Sequence, residues 1–452
     1  MKQITVADVI EVCHGKMEKG DPKQVLTHFS KDTRTLQKGD VYIGLKGENF
    51  DGSLYAKEAM EKGAIACIVG ETVDPAACQN YDNVIVVADT LKAIQDLAHW
   101  KRSFYSIPVI AVAGSVGKTS TKDLIARVLA TKYRVYKTEG NHNNHIGLPL
   151  TILSLTDEDV LVVEMGMNHF GEMRVLTNIA NPTMVAFTNI GTTHIGNLGS
   201  RENILKAKME ILEGMPKDGT IVINEDNDLL QAWGKQHNQQ YHVVTYGIEQ
   251  PSDYQAKNVS IAENETTYEV NQEKITLHLP GKAFVYNSLC AIAVADQLQV
   301  SMKKIQQGLQ NVELTKKRME IVEKDGVKII NDAYNSSFDS LKAGIEYLHT
   351  MQGKRKIAVL GDMLELGEYS QALHEKIATV LQKNQIAILI TVVKQAEYIA
   401  KKAKDLQLGA VYECSSNQEA IDKIQSIRQE GDVILVKASH SMKFDEIVKA
   451  IV

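Results

Sequence analysis

Short runs of consecutive apolar residues, spaced by stretches of helical periodicity, recur along the whole chain. In the first hundred residues, Val41-Tyr42-Ile43-Gly44-Leu45, Ala64-Ile65-Ala66-Cys67-Ile68-Val69 and Val84-Ile85-Val86-Val87 read as strands. A helix carrying Leu54, Ala59 and Met60 is expected between the first two. After a joint at Ser106-Ile107-Pro108 the runs stop alternating and become continuous: Val109-Ile110-Ala111-Val112-Ala113, Val160-Leu161-Val162-Val163, Met184-Val185-Ala186-Phe187 and Ile221-Val222-Ile223. Strands of this kind are covered on both faces, as in a parallel sheet between helices. Ile275-Thr276-Leu277-His278-Leu279 alternates strictly and predicts a half-exposed antiparallel strand. Beyond about Thr315 the rhythm restarts with Ile329-Ile330, Ile357-Ala358-Val359-Leu360, Ile386-Ala387-Ile388-Leu389-Ile390 and Val433-Ile434-Leu435-Val436. The pattern predicts an α/β protein of three domains. A small N-terminal α/β domain takes residues 1–106, a central parallel-sheet domain with an antiparallel appendage 107–315, and a C-terminal Rossmann-like α/β domain 316–452.

A length of 452 residues fits three domains at roughly 150 residues each. With 44% hydrophobic and 23% charged residues, the composition is that of an ordinary soluble globular protein. A formal net charge of −6 leaves no basic footprint, so nucleic acid is not an expected partner. The clusters Lys316-Lys317-Arg318 and Lys354-Arg355-Lys356 read as solvated faces or strand edges, with Arg318 set aside for the reason given below. Cys13, Cys67, Cys78, Cys290 and Cys414 are scattered and form no CxxC, which points to a reducing compartment rather than disulfides or zinc. No apolar run is long enough to span a membrane and no signal segment is visible, so a cytoplasmic location is expected.

The strongest chemical signal is Gly114-Ser115-Val116-Gly117-Lys118-Thr119, followed by Ser120, between a buried strand and a helix carrying Leu124, Ile125, Val128 and Leu129. Glycines let the backbone wrap phosphate oxygens, and the helix N-terminus adds amide donors and a favourable dipole. Lys118 is placed to neutralise the β- and γ-phosphates, and Thr119 to ligate Mg²⁺. Val112 stands where the usual P-loop has a glycine, so this is a shorter GxxGKT form of a P-loop-type ATPase domain. Glu164 ends the next buried strand, and His194 follows the third; both are placed for metal, water or ordinary polar loop roles. In the helix beginning at Gly199-Ser200, with Ser200 as N-cap and Glu202 in its first turn, the apolar stripe is Ile204, Leu205, Ile211 and Leu212. Lys208 falls inside that stripe. Pattern alone favours a snorkelling lysine whose head reaches water. The alternative is a desolvated neutral amine that reacts with CO₂ to give a metal-binding carbamate.

These residues, with Glu164-Met165-Gly166 and a helix lysine fourteen residues after His194, resemble the Mur ligases, a family that includes the folylpolyglutamate synthetases. Asp32-Thr33-Arg34, Gly39-Asp40-Val41-Tyr42-Ile43 and Asp51-Gly52 resemble the family's UDP-MurNAc-binding domain. Gly140-Asn141-His142-Asn143-Asn144-His145-Ile146-Gly147-Leu148-Pro149, Asp332-Ala333-Tyr334-Asn335 and Gly361-Asp362-Met363-Leu364-Glu365-Leu366-Gly367, with Ser370 and His374, are similar to the branch that ligates D-alanyl-D-alanine. The resemblance implies an ATP- and Mg²⁺-dependent ligase, a monomer, whose partners are UDP-MurNAc-tripeptide and D-Ala-D-Ala. It implies that Lys118, Thr119, Glu164 and His194 hold Mg²⁺–ATP and that Lys208 is carbamylated. It further assigns Asn287 to the adenine, Arg318 to the γ-phosphate side, and Asp332 with Asn335 to the ribose. Asp32, Thr33, Arg34, Asp51, Gly52, Asn141 and Asn144 fall to the acceptor substrate. Departures from the family pattern stand at Ala283, Phe338, His440 and Ser53. A Mur-type paralogue with another acceptor, a folylpolyglutamate-synthetase-like ligase and a catalytically silent nucleotide-sugar-binding scaffold are the alternatives.

Overall fold

The computed structural model describes residues 3–452 other than Asn264, Pro280, Glu313, Leu314, Lys316 and Lys317. Lys316 and Lys317 of the basic cluster, and the proline of the Pro280-Gly281-Lys282 turn, therefore lie outside the described residues.

The continuous apolar runs build a seven-stranded, wholly parallel sheet. Its order is Tyr254–Gln255, His242–Gly247, Thr220–Asn224, Met184–Phe187, Val109–Ala113, Val160–Glu164 and Val135–Lys137. The middle strand shows why the run has no polar member: Val109, Ala111 and Ala113 enter one core and Ile110 and Val112 another, all with no exposure. Helices Lys118–Leu129 and Lys282–Gln297 contribute to the second of these cores. An antiparallel three-stranded appendage, Lys257–Ile261, Thr266–Val270 and Glu273–Leu277, follows. The alternating segment is its last strand, with Ile275 and Leu277 buried and Thr276 half-buried, as its pattern predicts.

Before the central sheet, a mostly parallel five-stranded sheet contains the three predicted strands, observed as Val41–Ile43, Ala66–Gly70 and Val84–Val87. Leu54 departs from expectation. It sits 65% exposed on a 3-10 turn, Gly52–Tyr55, and the helix begins only at Ala56. After the central sheet, a six-stranded sheet runs Glu320–Lys324, Val327–Asn331, Asp432–Lys437, Arg355–Leu360, Ile388–Val392 and Ala410–Cys414. Its first two strands form an antiparallel hairpin turned by Asp325-Gly326, both at positive φ, as a tight Asp-Gly turn requires.

One helix differs from its predicted length. Arg201–Met209 carries Ile204 and Lys208, but Ile211 and Leu212 fall on a following 3-10 turn, Glu210–Gly214. Thr177 Oγ1 donates to the Ile211 carbonyl at 2.5 Å and Glu210 accepts from the Gly171 amide, contacts that hold this stretch out of α-helical register. Among the described residues no helix is long and apolar enough to cross a membrane.

Candidate active site

The loop Gly114-Ser115-Val116-Gly117-Lys118-Thr119, expected to bind phosphate, is tightly held. Gly114 has φ +141°, and a Cβ there would lie 1.9 Å from Thr188 Oγ1; Gly117, at φ +87°, is the helix N-cap. Hydrogen bonds fasten the loop to the segment after the neighbouring strand. Ser115 N donates to Asn189 O, Val116 N to Asn189 Oδ1, Thr188 Oγ1 to Val116 O, and Gly191 N to Ser115 Oγ. The backbone is thus fixed open at the C-terminal edge of the sheet, where open α/β folds bind ligands. Lys118 folds back so that Nζ donates to Gly114 O at 3.0 Å, and burial lowers its ammonium pKa.

Beside the loop, Thr119 Oγ1 donates to Glu164 Oε2 at 2.8 Å and Asn143 Nδ2 to Glu164 Oε1 at 2.7 Å. The Glu164 backbone amide is held in turn by Thr138 Oγ1. Hydroxyl and carboxylate oxygens are the donors a hard cation such as Mg²⁺ selects, and that ion habitually completes its shell with water and phosphate oxygens. Thr119 and Glu164 fit this role, and among the described residues no cluster of three His, Cys, Asp or Glu offers an all-protein cage. Arg318 reaches over the same corner. Its Nη2 lies 3.2 Å from Thr119 Oγ1, its guanidinium stacks 3.7 Å above the Tyr334 ring, and its buried Nε has no hydrogen-bond partner. An unsatisfied guanidinium N–H facing a phosphate loop is suited to an anion.

Lys208 does not snorkel. It is 1% exposed, its Nζ donates to Gly114 O at 3.0 Å, and burial, with Lys118 nearby, lowers its pKa well below the ordinary lysine value. Two lysines therefore converge on one carbonyl, which disfavours charging both. His194, in the left-handed conformation at φ 65°, lines the same cleft; its Nδ1 lies 2.5 Å from Glu365 Oε2 of the C-terminal sheet's loops.

The cleft, about 310 Å³, is walled on one side by the phosphate loop, Glu164 and His194 and on the other by Arg318, Tyr334, Asn335 and Ser337. A second, more apolar cleft adjoins it, lined by Ser120, Asn287, Phe284, Asp332, Tyr347 and Lys437 among others. Asn287 Oδ1 stands 3.0 Å from where a Gly117 Cβ would be. Asp332 is paired to buried Lys437 at 2.6 Å, and Asn335 gives its carbonyl to the same ammonium. Asn141 and Asn144 both line the first cleft, and Asn144 accepts at its Oδ1 from the amides of Ile146 and Gly147, shaping the start of helix Gly147–Leu153.

Asp32, Thr33, Arg34, Asp51 and Gly52 line neither cleft. They surround the C-terminal edge of the N-terminal sheet. Exposed Arg34 chelates Asp32 and holds its carboxyl down to about 2, and Asp51 accepts from Ser53 N and Thr72 Oγ1. Gly52 is required by close packing, since a Cβ would meet Leu45 O at 2.6 Å.

Sequence reasoning passed over Asn143, Tyr334 and Lys437 as site residues and gave Glu365 no role. Asn143 lies between two asparagines that were singled out, and Tyr334 inside the DxYN segment, so both were within reach; the pairing of Glu365 with His194 depends on the meeting of two domains.

Similarity to known proteins runs from one end of the chain to the other. Models of the Mur ligase family catalytic domain, the Mur ligase middle domain and the Mur ligase glutamate ligase domain match residues 26–102, 112–295 and 317–440. The UDP-N-acetylmuramoyl-tripeptide–D-alanyl-D-alanine ligase of Bacillus subtilis (strain 168) is 38% identical over 99% of this chain and 98% of its own length. Its Escherichia coli (strain K12) namesake is 30% identical over 100% and 99%. A crystal structure of MurF from Acinetobacter baumannii superposes with TM-score 0.89 at 25% identity, covering 99% of this chain and 98% of that one. MurF of Thermotoga maritima in complex with ADP gives 0.80 at 27%, covering 94% and 96%. With all three domain models matched in order and full-length relatives of this identity, the chain belongs to the Mur ligase family.

Proposed function

We propose that this protein joins D-alanyl-D-alanine to UDP-MurNAc-tripeptide at the expense of ATP, acting as a cytoplasmic monomer in peptidoglycan synthesis. The observation that carries the reading is the cleft between the phosphate loop and the C-terminal domain, where Lys118, Thr119, Glu164 and Arg318 converge on one point. It is supported by full-length likeness to relatives named for that activity.

The tripeptide's terminal carboxylate oxygen attacks the γ-phosphorus, the bond to the bridging oxygen breaks, and ADP leaves an acyl phosphate. The amine of the dipeptide then attacks the carbonyl carbon; the tetrahedral intermediate loses a proton and expels inorganic phosphate. A carboxylate approaching a polyanion is repelled, so charge neutralisation and positioning supply most of the acceleration. Lys118 and Arg318 contribute two cations at the phosphates. Mg²⁺, held by Thr119 and Glu164, would offset further phosphate charge. Lys208 as its carbamate, with His194, would present a second set of donors; the buried amine meets the first condition for that modification, being held toward the neutral form. Asn287 and the apolar cleft receive the base, Asp332 from that cleft and Asn335 from the first border the ribose, and the edge around Asp32, Thr33, Arg34, Asp51 and Gly52 receives the UDP end of the acceptor.

Phosphate release measured with Mg²⁺-ATP, UDP-MurNAc-tripeptide and D-Ala-D-Ala, omitting each in turn, tests this. Release that needs all three, with UDP-MurNAc-pentapeptide formed, is expected. Nucleotide binding without turnover would refute the assignment of acceptor.

A further inference from the structure

The setting of His194 in the cleft is completed by another domain. His194 Nδ1 is buried and makes no regular hydrogen bond, with Glu365 Oε2 2.5 Å away. A histidine's two nitrogens are coupled: whichever donates its N–H fixes the other as the lone-pair nitrogen.

The loop bearing Glu365 is built to deliver it. Glu365 and Gly367 take positive φ, 64° and 54°, and the loop is braced from behind at successive residues. Asp362 Oδ1 accepts the amides of Gln395 and Ala396. Met363 N donates to Nε2 of fully buried His374, whose Nδ1 contacts Ser370 O at 2.8 Å. Leu364 N donates to Ser439 Oγ. In front, the loop docks on the segment around His194. Gly196 N donates to Glu365 O at 3.0 Å, Tyr369 OH to Gly199 O at 2.5 Å, and a Cβ on Gly196 would strike Gly367 N at 2.5 Å. Backbone meets backbone there, so the carboxylate has little freedom to arrive elsewhere.

We propose that Glu365 is a positioning residue: supplied by the C-terminal domain, its carboxylate accepts from Nδ1–H of His194, keeps the proton on Nδ1 and so leaves Nε2 as the lone-pair nitrogen for the nucleotide cleft. His194 then acquires its working tautomer only when the two domains are docked. Carboxylates commonly orient liganding histidines in this way, and their loss costs roughly 10–100-fold in affinity or activity. The inference rests on the proposed ligase only for the consequence of the tautomer; the tautomer itself is a property of the protein without substrates.

The test uses ring-¹⁵N spectra of histidine-labelled full-length protein, with His194 assigned by its loss in His194→Gln. The wild type is expected to show a single Nδ1–H tautomer for His194. Glu365→Ala should convert it to a mixture or to the Nε2–H form while the His374 signals stay in place. Glu365→Gln, which still offers an amide oxygen, should retain the wild-type form. In turnover assays Glu365→Ala should lower kcat about 10–100-fold with the ATP KM nearly unchanged, and Glu365→Gln should recover most of it. An Nε2–H tautomer in the wild type, unchanged His194 signals in Glu365→Ala, or His374 signals moving together with those of His194 would each overturn the proposal. If the protein proves to use another acceptor, the spectral result is unaffected, so the two failures are told apart.

Discussion

Replacing Gly114 by alanine should damage the nucleotide site more than any other single methyl group added to the loop. At φ +141° a Cβ is strained by about 1–3 kcal/mol. The new atom would also stand 1.9 Å from Thr188 Oγ1 and 3.1 Å from Thr188 Cβ and N. Thr188 is buried and β-branched, so rotating the hydroxyl away brings its methyl group around, and over-packing of this kind costs about 1–3 kcal/mol. The bond from Thr188 Oγ1 to Val116 O, worth about 1 kcal/mol, is lost as well. The sum is about 3–7 kcal/mol if the loop stays in place. If the loop moves to escape, the carbonyl shared by Lys118 and Lys208 moves with it. A residual misfit of about 2 kcal/mol is then about 30-fold in nucleotide affinity. Calorimetric titration with ATP and ADP, alongside a melting curve, reads both routes. Gly140→Ala is the control, because at φ +52° nothing lies within 4 Å of its Cβ and a cost of about 1–2 kcal/mol is expected. A Gly114→Ala protein that binds nucleotide within about twofold of wild type and melts within about a degree of it would refute the reasoning.

Asn143→Ala, which removes the amide holding Glu164 Oε1, should raise the Mg²⁺ concentration for half-maximal activity about 10–100-fold, read from magnesium titrations; an unchanged curve would dismiss the role of that bond. Protein incubated with ¹³C-hydrogencarbonate should show a carbamate carbon resonance that Lys208→Met lacks; if wild type has none, the lysine serves as an amine. All five thiols have raised pKa values, Cys13 and Cys290 to about 12 by burial, so none should react quickly with a disulfide reagent at pH 8. Since an unfolded thiol loses its proton near 9.0, their contribution to stability is whole below that pH and is lost as pH rises through about 12; a quickly titrated thiol in native protein would contradict this.

The strands that were legible in advance are those that carry their own evidence. Val109–Ala113 and Val160–Glu164 are buried on both faces, and apart from Glu164 at the C-terminal end of the second they are wholly apolar. Val135–Lys137 at the sheet's edge is half-buried throughout and mixes Tyr and Lys, so no run marks it. Glu320–Lys324 was similarly silent, although the Asp325-Gly326 turn beside it was a usable hairpin sign. The phosphate loop was plain because local spacing dictates it. Lys208 was ambiguous because its stripe position says only that it faces inward; the acceptor that decides its fate, Gly114 O, lies 94 residues away. Tyr334 under Arg318, and Glu365 beside His194, follow from tertiary meetings that no periodicity encodes.

The apolar cleft has walls from separate bodies: Asn287 and Phe284 come from the central domain, Ile261 from its appendage, and Tyr347, Asp332 and Lys437 from the C-terminal domain. A molecule lodged there ties these units together, so occupancy and cooperativity of unfolding are linked quantities. Heated without nucleotide, the central and C-terminal units are free to melt as separate transitions; heated with it, they should merge into one at a higher temperature. The occupant then acts as a removable part of the protein's own interior.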